Sequence, residues 1–229
     1  MNKIIIITGG ANGLGKELVK QSIDLEYYVC NIDRDKENMK ILSETFTNNY
    51  SGYIGDISDE LFVKETIEKI KELGDIQILI NNAGEPSFKV PTAYIKNDID
   101  NCFKGLIGMI LCSTEVLKAK KEKNVKIVNI MSSAALKGNK QEAVYCATKW
   151  GEKGYTESLK TAYKGTSVKV IGVYPGGMNT DFYKNSRDYV SLEKQNSFMN
   201  SKDVANVILS NITNDMNLTV ADIIIERNS

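Results

Sequence analysis

Four consecutive isoleucines, Ile4 to Ile7, run straight into Thr8-Gly9-Gly10-Ala11-Asn12-Gly13-Leu14-Gly15, after which apolar residues recur at helical spacing from Leu14 to Leu25. An apolar run without alternation suits a strand covered on both faces, and such strands belong to parallel sheets sandwiched by helices. The glycines between strand and helix permit a tight turn that aims a helix N-terminus at whatever lies beyond the sheet edge. The chain is thereby committed to alternating strands and helices.

The same theme repeats downstream. Strands are predicted at Tyr27 to Ile32, Gly52 to Ile54, Ile76 to Ile80, Val125 to Met131, Val168 to Tyr174 and Ala221 to Ile225. Helical patterns lie between them at Lys36 to Phe46, Glu60 to Leu73, Phe103 to Lys121, Ala143 to Tyr163 and Ser201 to Ile212. This alternation predicts an α/β, doubly wound parallel sheet of about seven strands with helices on both faces. The 229 residues suit one domain, and the three prolines, Pro86, Pro91 and Pro175, are expected outside the regular segments.

Composition narrows the chemistry. Equal numbers of basic and acidic residues, 29 of each, give no reason to expect nucleic acid or an anionic membrane as partner. With no histidine in the chain, histidine triads and imidazole bases are excluded, and no metal site is expected. Cys30, Cys102, Cys112 and Cys146 form no C-x-x-C pair and are read as buried free thiols. No apolar run reaches the roughly 18 to 20 residues of a membrane span, and Met1-Asn2-Lys3 enters the first strand directly, so a cytoplasmic protein is expected.

The glycine-rich turn is the first candidate site. A dinucleotide pyrophosphate needs a tight turn, a closely approaching backbone and a helix N-terminus, which Gly9, Gly13 and Gly15 would supply. Asp33 ends the second strand, 24 residues past Gly9, where a carboxylate would accept the adenosine ribose hydroxyls. Its charge favours NAD(H) over NADP(H), whose 2′-phosphate it would repel. Arg34 keeps NADP(H) possible, since its guanidinium could stack on adenine or take that phosphate.

The second candidate is Y-C-A-T-K. Tyr145 and Lys149 are four residues apart in a predicted helix, so both emerge on one face. A phenol, ordinarily titrating near ~10, would be eased towards phenolate by the lysine's charge and could then act as acid and base. Considered alone, either residue could equally be packing or surface chemistry; Trp150 beside them is expected to anchor the helix by burial.

In order along the chain, T-G-x-x-x-G-x-G at Thr8 to Gly15, N-N-A-G at Asn81 to Gly84, Y-x-x-x-K at Tyr145 and Lys149, and Pro175-Gly176 with Thr180 resemble the short-chain dehydrogenase/reductase family. The resemblance implies a Rossmann-type fold and NAD(P)-dependent interconversion of a carbonyl and a secondary alcohol. It implies Ser132, Tyr145 and Lys149 as the catalytic set, Ser132 preceding the tyrosine by 13 residues with Ser133 as competitor. Cofactor contacts are implied at Gly9, Asn12, Gly13, Leu14, Gly15, Asp33, Arg34, Asp56, Ile57, Asn82, Ala83, Gly84, Tyr145, Lys149, Pro175, Gly176 and Thr180, with Asn129 supporting the site. A small carbonyl or alcohol substrate and a homo-oligomer are implied as well.

One position departs from the family pattern. An asparagine that holds a water in a proton relay through the lysine is replaced here by Gly105, which has no side chain for the task. That leaves two readings open: an oxidoreductase with an altered relay, or a dinucleotide-binding regulatory protein with weak or lost catalysis. A substrate loop is expected near residues 182–200, with Phe182, Tyr183, Tyr189, Leu192 and Phe198 as apolar contacts.

Overall fold

The isoleucine run divides between two helical layers. In the computed structural model, which describes residues 1–184, 189–214 and 218–228, strand β1 (Asn2–Thr8) occupies the middle of the sheet. Side chains alternate along a strand, so Ile5 and Ile7 face one side and Ile4 and Ile6 the other. Ile5 and Ile7 pack with Leu18 and Val19 of helix α1 (Gly13–Asp24), Leu42 of α2 (Lys36–Thr45), and Val204 and Ile208 of α7 (Ser201–Ile212). Ile4 and Ile6 pack with Val63, Ile67 and Ile70 of α3 (Glu60–Lys71) and Cys112 and Val116 of α4 (Lys96–Ala119). Leu159 and Tyr163, at the end of α5 (Ala143–Ala162), close that layer. Burying each such isoleucine contributes about 1.5–3 kcal/mol.

The other strands are β2 (Tyr28–Asp33), β3 (Tyr50–Ile54), β4 (Gly74–Asn81), β5 (Lys126–Ile130), β6 (Lys169–Pro175) and β7 (Asp222–Ile225). All seven run parallel in the order β3-β2-β1-β4-β5-β6-β7. The order reverses between β1 and β4, and the loops diverging there open a crevice beyond the strands' carboxyl ends. This is the Rossmann-type, doubly wound arrangement anticipated from the sequence.

Several local expectations are corrected. Helix α4 begins at Lys96, not near Phe103, because Asp98 accepts the Ile95 N–H at 3.0 Å and pairs with Lys89. Those first turns are largely polar and so lack the apolar spacing that marks a helix in sequence. Pro175 closes β6 opposite Ile225, and Pro91 opens a 3₁₀ turn at 91–93. Proline is tolerated at the first position of a helical turn, where its missing N–H is unneeded. Trp150 is half exposed, so burial does not anchor it. The four cysteines are free and buried as expected, and burial pushes the Cys30 and Cys112 thiols up to about 12. Among the described residues, no helix is long and apolar enough to cross a membrane.

Near the crevice the core turns polar. Asn81 of β4 donates to Ser113 Oγ at 3.0 Å and Asn129 Oδ1 at 2.8 Å. Asn129 of β5 donates to Thr156 Oγ1 at 2.9 Å, and Thr156 donates to the Glu152 carbonyl at 2.7 Å. This chain ties two central strands to α4 and α5. Asn129→Ala should therefore cost about 1–3 kcal/mol in urea unfolding, because it strips a buried partner from Asn81. An unchanged midpoint would show that the network adds nothing to stability.

Candidate active site

The crevice is a cleft of about 940 Å³ lined by every catalytic and cofactor position read from the sequence, with Asn129 outside the lining and bonded to Thr156 of α5. Its floor is the turn after β1. Gly9 and Gly13 adopt φ of +69° and +51°, a region that favours glycine. A Cβ at Gly9 would lie 2.7 Å from Ala83 Cα, and one at Gly15 would collide with the Gly9 carbonyl. Thr8 Oγ1 accepts the N–H groups of Asn82 and Ala83 at 3.0 and 3.1 Å. Asn82 Nδ2 returns hydrogen bonds to the Thr8 and Gly9 carbonyls at 3.1 and 3.0 Å. The glycine turn and the N-N-A-G segment are thus one braced unit.

Helix α1 starts against this turn without a side-chain cap. Asn12 at the cap position instead donates to Asp35 and accepts from Asn38. The first-turn N–H groups, unfilled by any side chain and with no acidic residue beside them, form an anion cradle open to the cleft. Gly9, Asn12, Gly13, Leu14 and Gly15 all line it.

At the next rim, Asp33 Oδ2 accepts the Ala11 N–H at 2.9 Å and Oδ1 the Asp35 N–H at 3.0 Å. Arg34 reaches across to an ion pair with Glu85. Asp56 accepts the Ser58 N–H and hydroxyl and pairs with Lys104 at 2.9 Å. Burial works against its charge, but the bonds from Lys104 and Ser58 prevail and hold its carboxyl at about 2. Ile57 lines the cleft beside it, packed over Gly108 of α4.

Beyond β5, Ser132 caps a 3₁₀ turn at 133–135, its Oγ accepting the Ala134 N–H at 3.1 Å. Of the two serines, Ser132 is the one whose side chain acts on the Tyr145 phenol, drawing it down against the larger upward push of burial. Tyr145 and Lys149 emerge on one face of α5, and the Lys149 Nζ lies 5.6 Å from the phenol ring centroid. Both are buried, at 7% and 5% exposure. The net push on the phenol is away from its anion. Burial first and the Glu152 charge next push the Tyr145 phenol up, against the pull of Ser132. Glu152 is also the ion-pair partner of Lys149, its oxygens accepting from Nζ at 3.0 and 2.8 Å.

The far wall is aromatic. Phe88, from the loop after β4, stacks on Tyr189 at 4.6 Å and on Tyr183 at 5.5 Å. Phe182 meets the Tyr145 ring edge-on at 6.0 Å, and Phe198 meets Tyr183 at 5.4 Å. Tyr189 donates to Glu142, which Asn139 also contacts. Leu192, expected here, is instead 60% exposed on α6 (Leu192–Asn196). Residues 185–188 of the anticipated loop lie outside the described residues. Pro175, Gly176 and Thr180 close the cleft on the β6 side.

The sequence reading missed Glu85, Phe88, Lys104, Glu142 and Glu152. Glu152 had a usable signal, since positions 145, 149 and 152 share one helical face. The others reach the site from loops or from another helix, with no spacing to mark them.

Known proteins resemble this arrangement. The chain matches the short chain dehydrogenase family over residues 3–191. It is 27% identical over 191 residues to the 3-oxoacyl-[acyl-carrier-protein] reductase of Mus musculus, spanning 82% of this chain and 80% of that one. ElxO, solved with NADP bound, is 29% identical, covers 98% of this chain and 97% of its own, and superposes with a TM-score of 0.86. A short-chain dehydrogenase/reductase from Vibrio parahaemolyticus is 31% identical, with 98% and 100% coverage and a TM-score of 0.86.

Proposed function

Because the chain belongs to the short-chain dehydrogenase/reductase family, we propose that its cleft reduces a ketone through Tyr145, assisted by Ser132 and Lys149, with NADP(H) as the cofactor. At the coarser level the chain is an NAD(P)-dependent oxidoreductase that interconverts a carbonyl and an alcohol. The observation that carries the residue assignment is the meeting of Ser132, buried Tyr145 and Lys149, and the glycine turn in one cleft.

The residues present fit a dinucleotide. The uncapped start of α1 accepts a pyrophosphate, and the glycines leave the backbone bare where it would approach. When bound, the nicotinamide supplies hydride to the carbonyl carbon. Tyr145 gives its phenolic proton to the carbonyl oxygen, and Ser132 holds that oxygen and eases the charge developing on it. Since burial pushes the phenol up, Tyr145 rests as an acid near neutral pH, which suits reduction.

The expectation of NAD over NADP is revised. Both Asp33 oxygens accept backbone N–H groups, which tie its carboxylate to the Ala11 and Asp35 backbone. NADP is the cofactor bound in ElxO, and Arg34 stands on the same rim as the cation for a 2′-phosphate. The wall of Phe88, Phe182, Tyr183, Tyr189 and Phe198, with Glu142 among them, favours a flat apolar ketone over an anionic one. Residues 182–184 and 189–200 form the substrate side of a single cofactor-binding domain in this reading. A homo-oligomer is part of it too, with Ile107, Ile110 and half-exposed Trp150 as the apolar face a second copy would cover.

Two measurements test it. Turnover with a panel of aryl ketones and a 3-oxoacyl thioester should proceed, and Tyr145→Phe should lower kcat by about 10²–10⁴ while nucleotide binding persists. Nucleotide binding without turnover of any carbonyl would favour the regulatory-protein alternative. The wild type should prefer NADPH in kcat/KM, and Arg34→Ala should reduce that preference by about tenfold or more, as loss of a charged hydrogen bond does. A wild-type preference for NADH would overturn the cofactor assignment.

A further inference from the structure

The buried carboxylate next to Lys149 has no part in the scheme above. Glu152 is 1% exposed, and its two oxygens accept from Lys149 Nζ, itself 5% exposed. Removing two opposite charges from water costs several kcal/mol per ion, and a buried pair is often no more stabilising than apolar packing. Stability therefore gives no sufficient reason for the pair. Its surroundings are specialised as well. A Cβ at Gly105 would lie 3.5 Å from Glu152 Oε1 and 3.2 Å from the Ala83 carbonyl, and one at Gly84 would lie 3.4 Å from Lys149 Nζ. Two glycines thus wall the pair at the cofactor side of the cleft, and the carboxylate reaches towards the position where Gly105 presents no side chain.

We infer that Glu152 is a positioning and proton-returning residue, recharging Lys149, and through it Tyr145, after each reduction. The inference rests on the roles proposed for Tyr145 and Lys149. The Tyr145 O–H bond breaks as the proton passes to the substrate oxygen, leaving a phenolate. A Lys149 N–H bond then breaks and the tyrosine O–H reforms. The neutral amine is left against the Glu152 carboxylate, an uncompensated buried anion that draws one proton from solvent. That proton adds to the carboxylate oxygen and passes to Nζ, restoring the ammonium–carboxylate pair. Each turnover takes up one solvent proton and one hydride.

Charge in the neighbourhood supports this direction. The titratable groups facing Glu152 among the described residues are Lys149 and Tyr145 on its own helix and Cys102 on α4. The loop after β4 presents the Ala83 and Gly84 backbone, and Glu142 acts on Tyr145 from the substrate side. Burial raises the Glu152 carboxyl, opposed by Lys149, so it takes up a proton more readily than an exposed glutamate. The same carboxylate disfavours the Tyr145 phenolate. Both effects return the proton to the phenol.

The test compares Glu152→Gln, which keeps shape and one hydrogen bond but not the charge, with Glu152→Asp. In reduction, Glu152→Gln should lower steady-state kcat at least about tenfold, while the single-turnover rate, which uses the proton already on Tyr145, stays within about threefold of wild type. Glu152→Asp should recover most of the loss. Equal loss in both rates would mark a structural role, and loss in neither would overturn the inference. A second readout needs neither cofactor nor activity: tyrosinate absorbance, assigned to Tyr145 by difference from Tyr145→Phe, should appear at lower pH in Glu152→Gln than in wild type. An unchanged titration would overturn the coupling. If no carbonyl is turned over at all, this titration still reads the coupling, so failure of the reductase reading is distinguishable. Should Glu152→Gln not fold, the titration of Glu152→Asp, shifted in the same sense by a longer charge separation, decides.

Discussion

Four hydrogen bonds between Thr8-Gly9 and Asn82-Ala83 hold the centre of this molecule together. They lie where the strand order reverses, so the two segments they join would otherwise diverge around the crevice. With the threonine hydroxyl accepting two backbone N–H groups and the asparagine amide answering two carbonyls, the left-handed turn at Gly9 is fixed in one conformation. The helix start that offers its free N–H groups to the cleft inherits that rigidity. The continuation of the same strand carries Gly84, Glu85 and Phe88 to the nucleotide rim and the aromatic wall. One brace therefore aligns the anion cradle with the place where chemistry is proposed.

The sheet changes character along its length. At its middle, both faces are isoleucine, valine and leucine packed under helices, where burial of apolar area is the whole argument. Towards the carboxyl ends, Asn81, Asn129, Ser113 and Thr156 replace them, each hydrogen-bonded to the next. Polar groups are tolerated in such a place only when their partners are supplied by the fold. Through the Glu152 carbonyl, this network also fixes the turn of α5 that carries the buried acid. The supporting core and the buried Lys149–Glu152 ion pair are thus continuous.

Much of this was legible in the chain. The unalternating Ile4 to Ile7 run gave a two-sided parallel strand because side-chain alternation and burial are local rules. Tyr145 and Lys149 were paired correctly on one face because helical spacing is local too. Where a rule was not local, the reading failed. The polar start of α4 was invisible because Asp98 caps it through a side chain rather than through an apolar pattern. Residue type suggests burial for Trp150 and Leu192, yet they are 50% and 60% exposed.

Sequence alone determined the fold class, the strand–glycine–helix turn and the identity of a phenol and an ammonium one helical turn apart, since all follow from short-range periodicity and backbone freedom. Tertiary structure decided what those groups experience. It spent both oxygens of Asp33 on backbone N–H groups, turned Arg34 towards Glu85 and brought Phe88 against Tyr189. It also buried Tyr145, Lys149 and Glu152 together opposite Gly105. Electrostatic energies depend on distance and on exclusion of water, and both are fixed only when segments far apart in the chain close over one another.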